Sequence, residues 1–181
     1  MSELRSFEGV AGMELSWERV KGGHGQHALT SAQDLFATLQ REKASGSLFT
    51  GTAEAGTWTF KRTGFFHTRM AVRVAGGVQD LAVFSPRWNG SGTLDFPDGH
   101  RYSWAPASFW HQEWVLRDAA GVDILRLRTG MTTAKGVLTI EPAAAKLAEL
   151  SLLSVLVWYL LLLLSEDAAV ASTAAAAAAA S

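Results

Sequence analysis

Between Leu150 and Leu164 the chain runs for fifteen residues broken only by Ser151 and Ser154, and this run limits the fold more than any other feature. Leu160 to Leu164 is apolar without a gap, so a helix built from it is hydrophobic on every side. Such a helix belongs in a protein core or in a bilayer. At about 1.5 Å per residue it covers roughly 22 Å, short of the roughly 30 Å of hydrocarbon in a membrane. Extending it back to Leu147 gives about 27 Å but brings in Glu149, at a cost of about 2–3 kcal/mol if that charge sits centrally. Lys135 and Lys146 precede the run while Glu166 and Asp167 follow it. A single span near 147–164 would therefore run outward from a cytoplasmic N-terminus. Trp158 and Tyr159 lie in mid-run rather than at its end, where interfacial rings would sit, and this favours packing against protein.

Everything before Pro142 has a different period. Short alternating segments separated by turn residues predict strands near 13–18, 26–30, 34–40, 47–53, 57–63, 68–75, 79–85, 92–96, 100–105, 112–117, 122–129 and 136–140. One hairpin can be specified by register. Pro97-Asp98-Gly99 suits a three-residue loop, which sets Phe96 against His100, Asp95 against Arg101 and Leu94 against Tyr102. Alternation also puts Met70, Val72 and Val74 on one face and Arg69, Ala71 and Arg73 on the other. In 122–129 it puts Asp123, Leu125 and Leu127 opposite Arg126 and Arg128.

About twelve strands of roughly six residues would close into a barrel about 20 Å tall, wider than its own side chains can fill. The apolar run has the length to fill it. The expected fold is mainly β: a closed antiparallel barrel of about twelve strands with one C-terminal helix, about 143–165, in its lumen. Leu152, Leu153, Leu156, Trp158, Tyr159, Leu160 and Leu163 are its expected core residues. The chain divides into an N-terminal segment at 1–12, a barrel domain at 13–166 that includes the helix, and an Ala-rich low-complexity tail at 167–181.

This order of elements resembles the tubby C-terminal-like superfamily, which includes LURP-one-related proteins and phospholipid scramblases. The residues that carry the likeness are the Gly56-Thr57-Trp58-Thr59-Phe60-Lys61-Arg62 strand, the Gly92–Tyr102 hairpin and Ser154-Val155-Leu156-Val157-Trp158-Tyr159 in the helix. The resemblance implies a helix inside the barrel despite its hydropathy, and a lipid-associated role. Scramblases carry a Pro-rich N-terminal region and palmitoylated cysteines, whereas this chain has four Pro and no Cys. No acidic calcium loop is visible, so what the resemblance implies is a fold rather than an activity.

Charge and motifs narrow the function classes. The net charge of −1 supplies no global basic field, so nucleic acid is not an expected partner. The middle of the chain is nevertheless cationic. Residues 57–135 hold 10 basic and 6 acidic groups, +4, against −2 for 1–56 (5 and 7) and −3 for 136–181 (1 and 4). Met1 to Val10 resembles neither a signal nor a transit peptide, which gives an expectation of a cytoplasmic protein that associates with membranes, the alternative being a single-pass protein with a cytoplasmic N-terminus. No dinucleotide or phosphate-loop glycine motif and no Gly-x-Ser-x-Gly elbow occurs, so no catalytic residue is assigned. His24 and His27 lack a nearby third ligand, and no metal or cofactor is expected. Trp88, Trp104, Phe109, Trp110 and Trp114 read as core or rim packing.

Lys61, Arg62, Arg69 and Arg73 are the candidates for an anionic site, provided their strands bring the guanidinium and ammonium groups together. The expected function is a non-enzymatic, lipid-associated or membrane-surface module whose partner is anionic phospholipid. The alternatives are a tail-anchored protein with a cytoplasmic β-domain, and a small-molecule enzyme working at the barrel mouth.

Overall fold

The computed structural model describes residues 3–44, 46–64, 68–108, 110, 112–130 and 134–179. Twelve strands follow in chain order: β1 Glu14–Arg19, β2 Gln26–Ser31, β3 Asp34–Arg41, β4 Leu48–Ala53, β5 Gly56–Thr63 and β6 Arg69–Val74. The series continues with β7 Ala82–Pro86, β8 Gly92–Asp95, β9 Arg101–Pro106, β10 Glu113–Arg117, β11 Asp123–Thr129 and β12 Lys135–Ile140. Each strand pairs antiparallel with its chain neighbour, and β12 returns to β1, so the barrel is closed and exposes no sheet edge. The β8–β9 hairpin has the register expected from Pro97-Asp98-Gly99. Leu94 faces Tyr102 and Asp95 faces Arg101. The Phe96 N–H donates to the His100 carbonyl at 3.0 Å, and Gly99 takes φ +94°.

The lumen is filled by α1, Leu150–Ala179, whose residues Leu150 to Leu163 are all buried. By length and composition α1 could also cross a membrane, but here the sheet covers its apolar half. Trp158 stacks on Trp17 with 5.6 Å between ring centroids and 3° between planes, while Tyr159 packs on Phe49 and Phe60, each at 5.3 Å. Three inward strand positions are glycine because these rings need the space. A Cβ on Gly136 would lie 2.5 Å from Trp158, one on Gly51 2.4 Å from Val155, and one on Gly92 2.4 Å from Phe84.

Three expectations need correction. The helix starts at Leu150 rather than near 143, because Pro142–Lys146 forms a separate 3₁₀ turn that buries Ala144 and ends in extended backbone at Leu147. That turn carries the chain from the outer wall into the lumen. The helix also does not stop at Ser165-Glu166-Asp167 but continues through the Ala-rich segment to Ala179. Alanine is the strongest helix former, and the buried turns already supply the nucleus. Finally, Asp123 does not share the face of Leu125. The β10–β11 register shifts between Leu116 and Arg117, which leaves Ile124 as an extra residue. Asp123 thereby moves to the outer wall, where it meets Arg117 at 2.7 Å and Arg126 at 2.6 Å.

The two mouths of the barrel differ. Strands that run antiparallel place their connections alternately, so α1 starts at the end holding the β8–β9 turn and emerges at the end holding the β7–β8 turn. The first is the closed end. The N-terminal segment crosses it, from the Arg5 N–H donating to the Leu35 carbonyl to the Gly12 N–H donating to that of Ile140. The second is the open end.

An unpaired carboxylate in this lumen should be intolerable. Leu156→Asp, at a fully buried position, is expected to abolish the cooperative urea transition. Gly136→Ala should lower stability by about 1–3 kcal/mol through overpacking against Trp158.

Candidate functional site

Where α1 leaves the open end, the barrel rim and the helix enclose an open cavity of about 850 Å³. Its floor is Met70, Phe84, Leu160 and Leu163, and its rim carries Arg62, Arg69, Arg87 and Trp88. Two of the four basic residues singled out by the sequence, Arg62 and Arg69, therefore share this site. Lys61 and Arg73 do not line it. Both point outward from the β5–β6 pair, with Lys61 opposite Ala71 and Arg73 opposite Thr59. Arg73 lies toward the closed end and is held by Asp80 at 2.6 Å.

Arg62 is positioned by the helix itself. Its Nη1 and Nη2 donate to the two carboxylate oxygens of Asp167 at 2.9 and 2.8 Å, a fork-to-fork pair. Arg41, two strands away on β3, holds Glu166 through Nη2 alone, while its Nη1 donates to the Gly46 carbonyl at 2.8 Å and its guanidinium lies 4.5 Å over the Phe49 ring. The two carboxylates at the base of the emerging helix are thus neutralised. Arg69 and Arg87 make no ion pair among the described residues and remain available to an anion.

Arg87 carried no weight in the sequence, because nothing local marks it as a rim residue, and Trp88, read there as core or rim packing, stands on the rim. They sit on a tight turn in which the Arg87 N–H donates to the Ser91 carbonyl at 2.7 Å, and Asn89 Oδ1 accepts from the Ser91 N–H and hydroxyl at 3.1 and 2.6 Å. Gly90 takes φ +79° and lies so close to Leu164 that a Cβ would come within 2.5 Å of it. The turn is therefore braced against the helix and presents Trp88, 98% exposed, to solvent. The other aromatic residues divide: Trp104 and Trp114 stack in the core at 5.3 Å, Trp110 is exposed at the same end as Trp88, and Phe109 lies outside the described residues.

Charge separates along the barrel. The connections at the open end carry Lys21, Lys43 and Arg87 against Glu42, and the adjoining strand ends carry Arg19, Arg41, Arg62, Arg69, Arg128 and Lys135 against Glu18 and Glu113. The connections at the closed end carry Glu54, Asp80, Asp98, Asp118, Glu141 and Glu149 against Lys146 alone. Glu149, at the start of α1, accepts from the Tyr102 hydroxyl at 2.5 Å and lies 3.2 Å from His100 Nε2. Burial, then this hydrogen bond, raises the Tyr102 phenol, so it stays a donor.

His24 and His27, three residues apart, differ in setting. His27 points into the lumen, edge-on to Trp158 at 5.6 Å, and no group of three or more metal-binding side chains occurs among the described residues. Burial, with smaller contributions from Arg19 and Arg41, lowers His27 from 6.5 to about 4. The chain matches no family model, no curated protein and no solved structure.

The His27 shift has a fixed sign. Above pH 6.5 the ring is neutral whether folded or unfolded, and the full stability is present. As pH falls, the unfolded chain takes up a proton that the fold excludes, so stability declines until pH reaches about 4. The loss from this group should be on the order of 3 kcal/mol. Urea midpoints at neutral and acid pH should show the decline, and His27→Leu should remove most of the part that falls in this window.

Proposed function

We propose that the chain is a non-enzymatic binding module that docks on anionic membrane surfaces through the open end of its barrel. The carrying observation is the rim cavity. Arg69 and Arg87 stand beside it without carboxylate partners among the described residues, and Trp88 projects from the turn that holds Arg87. Tryptophan is enriched where an apolar medium meets water, and basic groups within a Debye length of an anionic leaflet are drawn to it. The acidic closed end supports one orientation, because turning it to the membrane would set six carboxylates against lipid phosphates. The architecture is also the one that the likeness to the tubby C-terminal-like superfamily implies, and membership of that group is part of this proposal.

Vesicle sedimentation tests the reading. The protein is expected to bind phosphatidylserine-containing vesicles at low salt and to leave them as screening shortens the Debye length. At about 1 kcal/mol for each basic group, Arg69→Gln with Arg87→Gln should weaken binding roughly 30-fold. Trp88→Ala should weaken it as well. Arg73→Gln, at the other end and tied to Asp80, should not. Equal partitioning onto neutral and anionic vesicles would overturn the proposal.

A further inference from the structure

The outer half of α1 stands out from the same rim as Trp88, and three observations on it converge. From Ala168 to Ala179 it carries no charged residue, and every side chain in that stretch is exposed. Its only polar side chains are satisfied within the helix: the Ser172 hydroxyl donates to the Ala168 carbonyl at 2.6 Å, and that of Thr173 to the Ala169 carbonyl at 2.9 Å. At its base, Glu166 and Asp167 are neutralised by Arg41 and Arg62. Along its sides, a helix without charges, without unsatisfied hydroxyls and with its boundary carboxylates paired presents little that must stay in water, and only the last-turn carbonyls at its tip lack helical donors.

The dimensions agree with one leaflet. Twelve residues at about 1.5 Å each span roughly 18 Å, against about 15 Å for half of the hydrocarbon core. Ser165 to Asp167 add roughly 4–5 Å, close to the depth of one headgroup layer. With the rim on the headgroups, Trp88 would stand at the interface beside the helix, because its turn packs against Leu164.

Resting on the membrane-surface reading, we infer that the emerging half of α1, Ala168–Ala179, is a single-leaflet anchor that enters the lipid when the basic rim docks. The anchor is weak by composition, since alanine buries little area, and so it acts together with the rim arginines rather than in their place. The same helix is thus a core element over its first half and a lipid-facing element over its second.

The absence of cysteine from the full chain allows site-specific labelling. Ala171→Cys and Ala175→Cys would each carry an environment-sensitive dye, with Ala120→Cys at the closed end as the reference. On phosphatidylserine-containing vesicles the first two dyes should shift to apolar emission and be quenched by chain-labelled lipid, more deeply at 175 than at 171. The reference should stay aqueous. Ala175→Glu should weaken partitioning about tenfold. If the protein sediments with the vesicles while both helix dyes remain in water, the anchor is overturned and the membrane-surface reading survives. If the protein does not sediment at all, both fail. Concentration-dependent dye–dye contact without vesicles would identify a second copy as the occupant and would also overturn the anchor.

Discussion

A closed sheet of twelve strands has a lumen that its own side chains cannot fill, and the rest of this molecule follows from how that lumen is occupied. The occupant is an α-helix from the same chain, and the fit is made on both sides. Trp158 lies flat on Trp17 because Gly136, which pairs with Trp17 across the β1–β12 seam, leaves the space. Val155 approaches Gly51 in the same manner. An interior packed this closely tolerates neither added nor missing volume, which is why bulky rings and bare glycines occur opposite one another on neighbouring inward positions.

Filling the lumen also fixes the ends. The helix begins among the carboxylates of the closed end, where its positive dipole terminus is complemented by Glu149. It emerges among arginines, two of which it engages with its own Glu166 and Asp167. These pairs, together with the Tyr159 hydroxyl donating to the Ser47 carbonyl at 3.4 Å, fix the depth of the helix in the barrel. Arg69 and Arg87 have no such tie among the described residues, and the functional proposal rests on them.

The fold was legible in the sequence where the signal is local. Period-two alternation located all twelve strands, and Pro97-Asp98-Gly99 specified a register that the hairpin adopts. Legibility failed where the deciding partner is distant. Glu166 and Asp167 read as the end of an apolar helix, yet they find Arg41 and Arg62 more than a hundred residues away, so the helix passes straight through them. Gly51 and Gly136 gave no turn signal and no other cue, since the side chains that require them lie on other elements. Asp123 changed faces through a one-residue bulge that alternation cannot reveal. Of the anionic-site candidates, Arg62 and Arg69 line the rim cavity together while Lys61 and Arg73 do not, and Arg87 joins the first two from the turn that follows β7, the strand beside β6.

The position of α1 constrains how the molecule can assemble. One end of the helix is bonded at the closed mouth, and the other carries a long exposed extension beyond the open one. Threading such a rod through a finished ring would require every side chain from Leu164 to Trp158 to squeeze past Trp17 and Phe84. Wrapping an open sheet around the helix and then zipping β1 to β12 requires no such passage. The β1–β12 seam, which joins the two ends of the strand order, is therefore the step expected to come last. Until the last strands and the helix have left the ribosome, the nascent chain is an unclosed apolar sheet, and its safe passage through that interval depends on how quickly those C-terminal residues arrive.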